Sequence, residues 1–169
     1  MDMDVEVLKS FDPFLKLKTM ICFENSKQGL EMATFGVEKG AAWVKECLKY
    51  YENRPFIKAD GMLDTVTLPF IIQQICLKDS YHLEHAYSIE EALQKEMGST
   101  LAVLSSDFFS PKTTFRDEKI VLTSNTVSIH HFKGTWLPWY SKIEKRVSNA
   151  LGFESVSYTH LTLPTTSRV

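Results

Sequence analysis

The sequence predicts one domain of mixed helices and strands, of the α/β or α+β class. Three observations carry this. Short apolar runs of strand length alternate along the chain with stretches of helical periodicity. The length, 169 residues, suits one domain or a large part of one. A hydrophobic content of 44% beside 24% charged residues is ordinary for a soluble globular protein. No internal repeat interrupts the pattern.

Asp4 to Leu8 reads as a short strand with Val5 and Val7 on one face. Asp12 is placed to cap a short helix, with Pro13 in its first position. Thr19 to Phe23 is apolar enough for a buried strand. Met32 to Val37 is a further strand, in which Gly36 permits close backbone approach. Gly40 opens a helix whose expected buried stripe is Trp43, Val44, Cys47, Leu48 and Tyr51. Asn53-Arg54-Pro55 ends it.

Asp60-Gly61 is a turn signal. Thr67 then caps a helix with Pro69 in its first turn, and Leu68, Ile71, Ile72, Ile75 and Cys76 form its apolar face. Ser88 and Glu91 have capping-box spacing for a short helix. Leu101 to Leu104 is a strand that runs into the loop from Ser105 to Pro111. Lys119 to Leu122 and Thr126 to His131 are two further strand segments. From Tyr140, Ile143, Val147 and Leu151 share one face of a last helix, with Lys142, Lys145 and Arg146 opposite.

Composition excludes some functions. A formal net charge of -2 supplies no basic field, so nucleic acid is not an expected partner. Cys22, Cys47 and Cys76 are well separated, which suggests reduced core thiols and a cytoplasmic location. No apolar run approaches the ~20 residues that span a bilayer, and no signal peptide is visible.

Three places carry candidate chemistry. Asp2 and Asp4 flank one residue at the start of the first strand. Such a step places two carboxylates around a hard divalent cation, although strand ends and turns also produce it. His130 and His131 end an apolar strand and point to opposite faces, so at most one of them faces a metal. Gly134 follows, and Trp136 and Trp139 are placed either to wall a sugar ring or to fill a core. Asp64, in Leu63-Asp64-Thr65, reaches either into a cleft or towards the dipole of the next helix. Glu24-Asn25 is a similar polar strand end.

The order of these pieces resembles a known family. Met1-Asp2-Met3-Asp4-Val5-Glu6-Val7-Leu8 resembles the Asp-x-Asp segment of the bacterial glycosyltransferases with a DXD sugar-binding region, family thirty-two, which includes capsular polysaccharide synthesis proteins. The segments Ile21 to Asn25, Ala33 to Gly40, Lys49 to Phe56, Leu63 to Thr65, Ser105 to Pro111 and Ser128 to Trp136 also look like it, in order. The likeness runs from Asp2 to about Leu151.

The resemblance implies an α/β fold of the GT-A type. It implies a retaining, metal-dependent transfer of a sugar from a nucleotide-diphosphate donor to a saccharide or lipid-linked acceptor. Mn²⁺ or Mg²⁺ is the implied cofactor. Asp2 and Asp4 are the implied metal and donor ligands. His131 is the implied histidine ligand, because His131-Phe132-Lys133-Gly134 fits the spacing of related enzymes. Asp64 falls, by order, beside the reacting sugar carbon. Peripheral association with membrane-linked polysaccharide machinery is the corresponding expectation for partners. A non-catalytic fragment or binding module is the alternative.

In the family a nucleotide-binding segment precedes Asp-x-Asp, so residues 1–152 are expected to be the C-terminal part of an N-terminally truncated GT-A-like domain. Residues 153–169 are expected to be a non-native tail. From Val156 to Val169 the tail resembles the translation of a sequencing adapter, and His160 carries no functional weight.

Overall fold

Period-two alternation on neighbouring strands divides the core of this protein into two layers. The structure is a computed structural model, and it describes residues 1–24, 29–64, 66–78, 80–112 and 120–133. Its strands are β1 (Val5–Val7), β2 (Thr19–Phe23), β3 (Leu30–Val37), β4 (His82–Ala86), β5 (Thr100–Leu104) and β6 (Ser128–His130). Its α-helices are α1 (Ala42–Tyr51), α2 (Leu68–Lys78) and α3 (Ile89–Lys95), and a 3₁₀ helix spans Asp12–Lys16. The predicted last helix, Gly134, Trp136, Trp139 and the adapter-like tail lie outside the described residues, as do Asn25 and Thr65.

The main sheet runs β3-β2-β5-β4. β2 pairs antiparallel with β3, and parallel with β5, where Cys22 faces Leu104. β4 and β5 pair parallel from His82↔Thr100 to Ala86↔Leu104, joined by α3. Parallel neighbours need such a crossover, and it makes the domain α/β in character. Ile21, Leu101 and Val103 enter one buried layer with Trp43, Cys47 and Ile72, beneath α1 and α2. Cys22, Ala102 and Leu104 enter the other, with Phe14, Phe108 and Phe109. The ring of Phe109 is fully buried and lies 5.1 Å from that of Phe14 and 5.7 Å from that of Phe11.

Local signals explain most boundaries. The Ser88 hydroxyl accepts the Glu91 N–H at 3.1 Å, as the capping spacing predicts. The Glu91 carboxylate accepts the Tyr87 N–H at 2.8 Å. At the other end of α3, Glu96 accepts the backbone N–H groups of Lys18 (2.9 Å) and Thr19 (2.8 Å), fixing the start of β2. Gly61 takes a φ of 81° in the predicted turn, where the Asp60 side chain accepts the Met62 N–H at 2.9 Å. A Cβ on Gly36 would meet the Met20 side chain at 3.1 Å, the close approach expected there. Cys22, Cys47 and Cys76 are buried and not joined in disulfides. No described helix is long and apolar enough to cross a membrane.

Four expectations change. Asp12 is the first residue of its 3₁₀ helix, with Phe11 at the cap and no side-chain cap bond. The buried stripe of α1 narrows to Trp43 and Cys47, while Leu48 is 63% and Tyr51 49% exposed. The helix presents only its centre line to the layer it covers. Residues 120–122 are irregular and not a strand. β4 was not expected, because His82 and Glu84 on one face and His85 on the other leave it without an apolar alternation, as suits a sheet edge.

Candidate metal centre

The ribbon of β1 and β6 builds the site. The two strands pair antiparallel, with Val5↔His130, Glu6↔Ile129 and Val7↔Ser128. Leu8 N–H extends the pairing to the Val127 carbonyl at 2.8 Å. The ribbon is anchored on both sides. Val127 N–H bonds the Phe108 carbonyl (2.8 Å), and Asp2 N–H bonds the Ala33 carbonyl of β3 (2.7 Å).

Asp2 and Asp4 sit in the turn that precedes β1, where Val5 N–H reaches the Asp2 carbonyl at 3.4 Å. Residues two apart already share a face in an extended chain, and both carboxylates reach the same point. One ligand atom each from Asp2, Asp4 and His130 lie within 4.8 Å of one another. Six ligands around a hard cation at about 2.1–2.2 Å would stand roughly 3 Å (adjacent) to 4.4 Å (opposite) apart. The three side chains therefore need little closure to share one ion. Two carboxylate oxygens and one imidazole nitrogen suit Mn²⁺, and Mg²⁺ with water completing its shell. Asp2 is exposed, which leaves the centre open on one side.

Asp4 and His130 are held in place. Asp4 Oδ1 lies 3.4 Å from His130 Nε2, and Asp4 Oδ2 accepts the Lys133 N–H at 2.8 Å. Phe132, between them in sequence, adopts a left-handed φ of 51°, which turns Lys133 N–H onto Asp4. Its ring packs against the His130 imidazole with centroids 3.8 Å apart. On the other side, His130 Nδ1 lies 3.1 Å from Glu31 Oε2. Burial pulls the His130 pKa down. The Glu31 hydrogen bond and the charges of Glu31, Asp4 and Asp2 outweigh it, so the pKa stands above its ordinary value.

The sequence-predicted residues separate here. The structure brings Asp2 and Asp4 together with His130. His131, the expected ligand, faces the other side of the ribbon and pairs with Glu6 at 2.9 Å. Asp64 is not part of the cluster. Its carboxylate hydrogen-bonds Arg54 Nε, with Lys58 Nζ at 3.9 Å. The Arg54 hydrogen bond holds the Asp64 carboxyl below its usual range. Arg54 in turn lies 4.3 Å above the Tyr50 ring.

Glu31 is the residue that sequence reading missed. It is 3% exposed, in the middle of buried neighbours on β3. The available signal was a single acid inside Leu30-Glu31-Met32-Ala33-Thr34. No protein-family model, curated protein or solved structure matches this chain.

Proposed function

We propose that the protein is a metal-dependent, retaining glycosyltransferase of polysaccharide synthesis with a GT-A-like domain. It moves a sugar from a nucleotide-diphosphate donor to a saccharide or lipid-linked acceptor. The observation that carries this reading is the convergence of His130, distant in the chain, on Asp2 and Asp4. The family resemblance of the segments around them supports it.

In this reading Asp2, Asp4 and His130 hold Mn²⁺ or Mg²⁺. The bound ion would neutralise the donor diphosphate as the glycosidic bond breaks. Asp2, the exposed member, faces the donor, while Asp4 anchors the ion from the ribbon. Asp64 belongs to the sugar side of the pocket on chain order. With its pKa lowered by Arg54 it acts as a fixed negative charge and a poor proton acceptor. Lys58 Nζ, 3.9 Å from Oδ1, and the Val66 backbone also hold this carboxylate. The assignment places the protein in the cytoplasm, beside membrane-linked polysaccharide machinery.

Mn²⁺ titration of the chain, followed by electron paramagnetic resonance with UDP and GDP as probes, tests this. Wild type should bind Mn²⁺, and a nucleoside diphosphate should bind only with it. Asp4→Ala should lose both. Mn²⁺ binding without any nucleoside diphosphate binding would favour the alternative, a non-catalytic fragment or binding module, for this chain. Undiminished binding in Asp4→Ala would remove Asp4 from the centre.

A further inference from the structure

We infer that Glu31 is a positioning residue for the metal centre: its buried carboxylate accepts the Nδ1–H of His130 and so fixes the tautomer whose Nε2 lone pair faces Asp4. The inference rests on the metal reading above and adds a residue that neither the motifs nor the resemblance assigned.

The geometry is specific. Leu30 and Met32 enter the layer beneath α1 and α2. Alternation therefore turns Glu31 and Ala33 to the opposite face of β3. Glu31 Oε1 accepts the Ala33 N–H at 2.6 Å, and Oε2 is 3.1 Å from His130 Nδ1. Both oxygens of a side chain with 2% exposure are thereby engaged. A carboxylate buried to this degree persists only where such bonds hold it. Neither oxygen belongs to the Asp2–Asp4–His130 cluster, so Glu31 acts through the ring and not on the ion.

A ligating imidazole must present a bare nitrogen, and the bond made by its other nitrogen decides which one that is. Carboxylates behind metal-bound histidines orient the ring and raise its basicity, and their removal typically lowers metal affinity by about 10–100-fold. Here the same strand also grips Asp2, through the Ala33 carbonyl. β3 thus sets the positions of two ligands at once, one by a side chain and one by its backbone.

The test combines a tautomer readout with metal affinity. Long-range ¹H–¹⁵N correlation on the metal-free chain, at a pH where the imidazole is neutral, should show His130 protonated at Nδ1. Glu31→Gln should retain the fold, read from its backbone amide spectrum. Its amide offers one oxygen where Ala33 N–H and His130 Nδ1–H each need one, so the Nε2–H tautomer should gain population. Mn²⁺ affinity should fall roughly tenfold or more in Glu31→Gln and Glu31→Ala. A wild-type Nε2–H tautomer, or wild-type Mn²⁺ affinity in Glu31→Gln, overturns the role of Glu31 and leaves the centre standing. No Mn²⁺ binding by the wild type would instead remove the metal reading itself.

Discussion

His130 and His131 are adjacent in sequence and face opposite sides of the same ribbon. His130 Nε2 lies 3.4 Å from Asp4, whereas His131 Nε2 lies 2.9 Å from Glu6. The first contact belongs to the cluster of candidate ligands. The second is a surface pair whose side chains are 30% and 55% exposed.

Substitution should separate the two histidines. His130→Ala removes one of three candidate ligands and should weaken Mn²⁺ binding by at least ~10-fold, comparable to losing outer-shell support. His131→Ala should leave Mn²⁺ affinity within about twofold and cost about 0–1 kcal/mol of stability, as exposed ion pairs do. Isothermal titration and urea unfolding of both variants measure this. Equal losses in the two would contradict the assignment.

Arg54→Ala should destabilise the protein in a pH-dependent way. The Arg54 hydrogen bond depresses the folded pKa of Asp64. That contribution is fully present above the unfolded value of about 3.9 and is lost as pH falls through the lower folded value. Urea midpoints of wild type and Arg54→Ala should therefore differ at neutral pH and converge in acid. A gap that persists below the folded Asp64 pKa would show that Arg54 acts by packing on Tyr50 instead.

Phe109→Ala should cost about 3–5 kcal/mol, the usual loss for a buried phenylalanine. Its ring packs on Phe11, Phe14 and Phe108, and its carbonyl accepts the Ser128 hydroxyl at 3.3 Å. Denaturant unfolding reads the loss. Since Phe108 and Phe109 also seat β6, Mn²⁺ affinity should fall with it. Unchanged stability would mean that this aromatic cluster is not the core beneath the ribbon.

Ser88→Ala should cost about 1 kcal/mol by removing the cap of α3. Ser88→Asp should restore most of it, because a carboxylate accepts the same Glu91 N–H. Thermal unfolding of the pair tests whether that bond, 3.1 Å long, contributes as a cap.

Legibility followed burial. Apolar strands such as Thr19–Phe23 and the face of Ile71, Ile72 and Cys76 could be read because periodicity records which side is dry. β4 could not, since an edge strand keeps polar residues on its open side. The outer residues of α1 were misjudged because periodicity gives the direction of an apolar face and not the width its neighbour covers. At the site, alternation allows only one histidine to face a metal, and the family resemblance implies His131, whereas the structure brings His130 to Asp2 and Asp4. The deciding partner was Glu31, 99 residues away from His130 and reached only through tertiary contact.

Anomalous X-ray scattering from Mn²⁺-soaked crystals of the chain tests the metal centre most directly. The predicted result is one strong peak between the preceding turn and β6, bonded to an oxygen of Asp2, an oxygen of Asp4 and His130 Nε2. A peak bonded to His131, or no peak among these three side chains at saturating Mn²⁺, would contradict it.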